Sequence, residues 1–237
     1  MVCLRLTDGH SVAEPLGVEA VSIEAVCWDV GGVFSGRPVD AIGGLAAEHG
    51  LDPGAVFAAI FGPYHLDGDH AWHRVERGEV TLKEAWAEIE GVIAAFGLEL
   101  SLMDIFRRFG DDSVDRTVVS EMVRTLHGEG ITQAIITNNV KEFSESENGG
   151  WRSIVPIDVM SVVIDSSAVG MRKPDPSIYE HTLAELGVAA GAAVFLDDMP
   201  ANVEAAKALG MHGIVVGADP AEAMAELRSL VDQLTTP

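Results

Sequence analysis

The stretch AVCWDVGGVFSG, residues 25–36, decides how this chain is read. An apolar run ends at a single carboxylate, Asp29, and two glycines, Gly31 and Gly32, follow almost at once. Taken alone, an aspartate that closes an apolar run is as readily a turn or helix-capping residue as a reactive group. The remainder of the chain has to choose between these readings.

Working outward, short apolar runs recur at residues 23–30, 131–137, 158–164, 192–197 and 213–216, and helical patterns occupy 115–129, 176–186, 200–209 and 220–234. That alternation is expected of a parallel sheet covered on both faces. Pro176, Pro200 and Pro220 stand at helix starts, and Gly130, Gly187 and Gly210 follow helix ends, the positions each residue type favours. Between the first two strands, about 37–110, the chain reads as helices only, and within it ERGEVT forms a turn with Thr81 as N-cap and Glu84 closing a capping box. The expected fold is α/β: a three-layer, Rossmann-like parallel sheet core at 20–36 and 111–237, a helical cap at 37–110, and an N-terminal extension at 1–19. A bundle inserted there lies above the carboxyl ends of the strands, where open α/β sheets bind ligands.

Composition bounds the partners. The 237 residues include 48% hydrophobic side chains, enough for a sizeable core, and 37 acidic against 15 basic residues give a net charge of −22. Such a field repels nucleic acid and anionic membrane surfaces, so an anionic substrate must be drawn in by a local cation or a bound metal. Cys3 and Cys27 suit a reducing compartment better than a disulfide framework. Neither a membrane span nor an apolar leader is read, and a cytoplasmic setting is expected. A homodimer is left open.

Polar groups cluster where strands stop: Asp29 after the first, Thr137 with Asn138 and Asn139 after the second, Asp197 with Asp198 after the fourth, and GMRKPDP, holding Lys173, after the third. Carboxylates converging on one sheet edge repel one another unless a cation sits among them, and a hard divalent ion with oxygen ligands, most simply Mg²⁺, resolves the conflict. A hydroxyl, backbone amides and an ammonium beside it make a cradle for a phosphoryl group.

DVGGVF, IITNN, GMRKPDPSIYEHTLAELGV and VFLDDMPANVEAAKALGM together resemble the four motifs of the haloacid dehalogenase superfamily, subfamily IA. They look most like its phosphatase-like group, which includes the N-terminal domain of soluble epoxide hydrolases and the related domain of acyl-CoA dehydrogenase fusions. The resemblance implies that Asp29 attacks phosphorus and forms an aspartyl-phosphate. It implies a Mg²⁺ ion held by Asp29, the Gly31 carbonyl and Asp198, with Asp197 supporting and Asn202 orienting a ligand. It implies phosphoryl binding by Thr137 and the Asn138 amide, charge neutralisation by Lys173, and a sharp backbone turn at Gly32. The expected substrate is a small phosphorylated metabolite.

One departure matters. Family phosphatases usually carry a second aspartate two residues after the nucleophile, as general acid and base, and that position here is Gly31. The expected hydrolase would therefore favour good leaving groups, or take its proton from the helical insertion, where His65, His70 and His73 beside Trp72 are one source. The alternatives are a protein that binds phosphate or metal without turnover, and a dehalogenase. Composition alone would let the histidines hold a transition metal, but without a nearby cysteine they read better as surface or pocket lining. Trp72 and Trp86 read as core of the insertion.

Overall fold

The five apolar runs become five strands in a computed structural model, which describes residues 22–98, 101–109, 115–144 and 150–235. The N-terminal extension, the 110/111 boundary and most of the polar tract near 146 lie outside the described residues. In chain order the elements are β1 (Ala25–Trp28), α1 (Pro38–Glu48), α2 (Pro53–Phe61), α3 (Ala71–Glu76), α4 (Leu82–Ala94), α5 (Leu102–Phe109), α6 (Thr117–Gly128) and β2 (Thr132–Thr137). They continue with α7 (Lys141–Ser144), β3 (Val162–Asp165), α8 (Ser166–Val169), α9 (Pro176–Leu186), β4 (Ala193–Asp197), α10 (Pro200–Ala208), β5 (His212–Val215) and α11 (Pro220–Thr235). All pairings are parallel and the order is β3-β2-β1-β4-β5, which puts β1 at the centre.

Side-chain alternation builds the layers. Val26 and Trp28 pack with Val119, Val123 and Leu126 of α6 and with Met224 and Leu227 of α11. Cys27, on the opposite face, packs with Ile178 and Tyr179 of α9 and Ala206 of α10. A strand buried on both faces has to be apolar at every position, which is why β1 reads as an unbroken run rather than an alternating one. Cys27 is a free thiol pushed up to about 12 by burial.

Most helix boundaries follow the punctuation. Pro176 opens α9, the Asp175 side chain caps it by accepting from the Ser177 amide, and Gly187 closes it. The capping box of Thr81 and Glu84 opens α4. The third strand is a correction: it begins at Val162, and Ile157–Val159 is a 3₁₀ turn instead. Asp158, inside the expected strand, pairs with Arg124 at 2.9 Å on an exposed surface and so leaves the sheet.

Helices α1 to α5 are inserted between β1 and α6, and no strand interrupts them among the described residues. They carry their own apolar cluster, including Ile42, Leu45, Val56, Ile60, Val75, Ile89 and Ile93. Three tie points fix this insertion to the sheet layer. Buried Glu76 pairs with buried Arg172, the Leu82 amide donates to the Glu142 carboxylate, and Gly78 lies against Ser167 so closely that a Cβ there would sit 2.4 Å from the Ser167 carbonyl oxygen. No helix among the described residues is long and apolar enough to cross a membrane.

Candidate active site

The ladder sets the site. Trp28 lies level with Ile135 on one side and Leu196 on the other, so the next residue of each strand or its extension, Asp29, Ile136 and Asp197, falls on one line across the sheet. Lys173 reaches this line from the loop before α9. Its Nζ lies 2.6 Å from Asp29 Oδ1 and 2.6 Å from Asp197 Oδ2, and donates to the Ile136 carbonyl at 2.9 Å. The ammonium is 1% exposed. Burial alone would pull its pKa down, but Asp197 and Asp29 outweigh that effect and raise it, so Lys173 stays charged.

The carboxylates are not equivalent. Both oxygens of Asp197 are spent, Oδ2 on Lys173 and on the Asn202 amide at 3.0 Å, and Oδ1 on the Met199 backbone amide at 2.7 Å. Asp198 Oδ2 and Asn202 Oδ1 are buried with no hydrogen-bond partner, and the nearest cation to that Asp198 oxygen is Arg37 Nε at 3.6 Å. Donor oxygens of Asp29, Asp197 and Asp198 all lie within 4.8 Å of one another. Buried oxygen acceptors left unspent beside a nucleophile fit a hard divalent cation. Burial first, then Asp197 and Asp29, push Asp198 well above the ordinary carboxylate range.

Asp29 is raised to about 7, chiefly by burial, with Asp197 adding to the rise and Lys173 opposing it. A carboxyl that holds its proton longer when folded contributes stability that is full below the unfolded value near 4 and is lost as pH rises through about 7. The metal-free protein should therefore lose stability as pH is raised across that window. Urea unfolding at pH 4.5, 6 and 7.5 in chelator checks this, and a rise in stability over the same interval would contradict it.

Gly32 turns the chain behind the nucleophile at φ +72°, and a Cβ there would lie 2.2 Å from Asp198 Cγ. Its carbonyl accepts from buried Arg116 at 2.8 Å. Gly32→Ala should cost about 1–3 kcal/mol from backbone strain alone, with displacement of Asp198 in addition. A denaturant midpoint unchanged from the parent would count against this account. Thr137 and Asn138 line the same floor. The Asn138 side chain is a clamp, accepting from the Lys173 amide at 2.8 Å and donating to the Lys173 carbonyl at 3.0 Å. Asn139 is tied to the third strand end, its side chain donating to Asp165 and its amide to Ser166.

Above the floor is a cavity of about 200 Å³ whose walls include Phe57, Phe61, Tyr64, Trp72, Val140 and Trp151. The structure thus brings Asp29, Gly31, Thr137, Asn138, Lys173, Asp198 and Asn202 to one space, with Gly32 and Asp197 packed directly behind. It does not bring the histidines there. His65 is exposed, His70 is the N-cap of α3, and His73 is wholly buried and accepts from the Gly68 amide. Burial, then Arg172 and His70, push His73 down to about 3, so at neutral pH it is the uncharged imidazole and not an imidazolium acid. Trp72 is a core residue that also walls the cavity. Sequence reading missed Tyr64, Glu76 and Arg172. Glu76 accepts from the Tyr64 hydroxyl at 2.7 Å, from Trp72 Nε1 at 2.8 Å and from Arg172 Nε at 2.8 Å.

Fold and site together define an enzyme that works at the carboxyl edge of a parallel sheet beneath a helical insertion. The chain belongs to the haloacid dehalogenase-like hydrolases, whose family pattern matches residues 6–210. It is 29% identical over 218 residues to acyl-CoA dehydrogenase family member 10 of Mus musculus, covering 89% of this chain and 19% of that protein. Over 161 residues it is 29% identical to the sesquiterpene phosphatase astK of Aspergillus oryzae, covering 68% of this chain and 79% of that one. A family enzyme from Bacteroides thetaiotaomicron, solved with magnesium and inorganic phosphate, superposes with a TM-score of 0.54 at 18% identity, covering 83% of this chain and 96% of that one. The chain spans about a fifth of the mouse protein's length.

Proposed function

We propose that this chain is a Mg²⁺-dependent phosphatase that acts through an aspartyl-phosphate on Asp29, with helices α1 to α5 as the cap that selects a small phosphorylated metabolite. The observation that carries the reading is the buried arrangement in which one lysine bridges Asp29 and Asp197 while the neighbouring Asp198 keeps an unspent oxygen. Asp29, the Gly31 carbonyl and Asp198 would hold the ion, with Asn202 beside them and Asp197 fixing Lys173 and the Met199 loop. The ion supplies the positive charge that lets a phosphoryl dianion approach a site rich in carboxylates.

This chain's own residues do the rest. Lys173 favours the ionised form of Asp29 and aims one of its oxygens, Thr137 and the backbone amide of Asn138 orient the phosphoryl oxygens, and Asp29 forms the new bond to phosphorus as the bond to the leaving oxygen breaks. Water then cleaves the acyl phosphate and restores Asp29. Among the described residues that line the cavity, Lys173 is the sole cation and already serves the floor, and Glu76 is hydrogen-bonded through both oxygens. That supports a substrate with one phosphoryl group on an uncharged, apolar body, in keeping with the sesquiterpene phosphatase among its relatives. The buried, unpaired Cys27 supports a reducing, cytoplasmic setting.

The test is hydrolysis of acetyl phosphate by the purified chain with Mg²⁺ and with chelator. Turnover that depends on the metal supports the reading. Activity on a haloacid that survives chelation would favour a dehalogenase instead. Mg²⁺ binding without any turnover would favour a phosphate-binding protein, the reading that Gly31 keeps in view.

A further inference from the structure

A proton is missing from the reaction as Gly31 leaves it: the leaving oxygen departs with no acid beside it. A Cβ at Gly31 would meet nothing closer than Asp29 Oδ2 at 3.9 Å, so the place is open and no packed neighbour fills it. The proton must come from another group that faces the cavity.

Among the described residues, the titratable groups on the cavity wall are Asp29, Tyr64, Glu76, Lys173 and Asp198. Asp29 and Asp198 belong to the nucleophile and the proposed ion. Lys173 is committed to Asp29, Asp197 and the Ile136 carbonyl. Glu76 accepts three hydrogen bonds, including the charged one from Arg172, so both its oxygens are already engaged as acceptors. Tyr64 remains.

Its position is the second observation. The hydroxyl lies 3.5 Å from Asn138 Nδ2 and 2.7 Å from Glu76 Oε1, so it stands where the phosphoryl-binding floor meets the aromatic wall. The bond between the phosphoryl group and the organic body must cross this boundary. Phe57 packs edge-on to the Tyr64 ring at 5.8 Å, and the Arg172 guanidinium lies over it at 5.1 Å. The ring is therefore fixed, and rotation about its C–O bond carries the hydroxyl hydrogen from Glu76 Oε1, which accepts it at 2.7 Å, round to a leaving oxygen in the cavity.

We propose that Tyr64 is the proton donor to the leaving oxygen, supplied by the insertion in place of a side chain at position 31. This rests on the phosphatase reading. As Asp29 Oδ bonds to phosphorus and the bond from phosphorus to the leaving oxygen breaks, the phenolic proton passes to that oxygen and the alcohol departs. Burial and the Glu76 carboxylate push the phenol's pKa up and oppose the phenolate, and the Arg172 guanidinium and the Asn138 amide beside it act against them, so the phenolate lasts only until water returns the proton. In the second half of the reaction the attacking water gives its proton back to Tyr64 as it displaces Asp29 from phosphorus, and protons balance over the cycle. A phenol is too weak an acid to matter for an acyl or aryl leaving group, but it matters for an alkoxide.

The test compares three substrates of falling leaving ability, acetyl phosphate, an aryl phosphate and an apolar alkyl phosphate, with the parent and with Tyr64→Phe, which keeps the ring packing. The expected result is a loss of about 10²-fold or more in kcat for the alkyl phosphate with less than threefold for acetyl phosphate. Equal losses on all three substrates would reduce Tyr64 to a structural role and overturn the proposal while leaving the phosphatase reading intact. The parent alone gives an independent readout: a shallow dependence of kcat on leaving-group basicity supports the proposal, and turnover of acetyl phosphate without any of the alkyl ester overturns it. If the parent turns over none of the three with Mg²⁺ bound, both the proposal and the phosphatase reading fall.

Discussion

Asp29→Asn is expected to lower metal-dependent hydrolysis of acetyl phosphate by at least about 10⁴-fold, while leaving the chain folded. The carboxylate is the proposed nucleophile, and the amide that replaces it is close in shape but does not attack phosphorus. Stability should hold, because burial first and then the Asp197 charge raise the pKa of Asp29 to about 7, so its ionised form is disfavoured in the fold. Removing that charge relieves repulsion with Asp197 and Asp198, and Lys173 keeps its 2.6 Å contact with Asp197. The measurement is kcat beside the urea midpoint. Retained turnover in a folded variant would show that another group attacks, and the aspartyl-phosphate route would have to be abandoned.

Lys173→Met should act in the opposite way, costing stability as well as rate. It removes the cation that Asp29 and Asp197 share and leaves three carboxylates whose donor atoms lie within 4.8 Å. Losing one partner of a buried ion pair costs about 3–5 kcal/mol, since the remaining charges are neither solvated nor paired. Mg²⁺ should recover part of that loss in the variant, and chelator should deepen it. A loss below about 1 kcal/mol would mean that the carboxylates hold protons in place of the lysine's charge. The two substitutions separate the group that reacts from the group that makes the reacting charge tolerable.

Much of this was legible in the sequence because the chemistry sits at strand ends. Asp29, Thr137, Lys173, Asp197 and Asp198 each lie beside a local signal, an apolar run or a helix opened by proline, and strand register then brings them together. Glu76 and Arg172 had no such signal. They are separated by 96 positions, and Arg172 in GMRKPDP reads locally as a solvated cation, yet it is buried by the insertion that docks on it. Tyr64 stands in a turn rich in polar residues, and its place at the cavity depends on that same docking. His73 failed in the other direction: its neighbours His65 and His70 suggested a shared site, but packing against Tyr64, His70 and Gly62 within the insertion took it into the core. Local pattern reports what a segment forms, and contacts between remote segments lie beyond its reach.

The tie points between insertion and sheet have a mechanical consequence. Glu76, Gly78 and Leu82 fall within seven successive residues and engage Arg172, Ser167 and Glu142 respectively. Fastening one flank so densely disfavours translation and favours a swing about residues 76–82 that lifts α1 and α2 away from the floor. Amide exchange should follow that geometry, faster along 38–61 than along 71–82, and a compound too large for the cavity should be admitted beside Phe57, away from the anchors at 76–82.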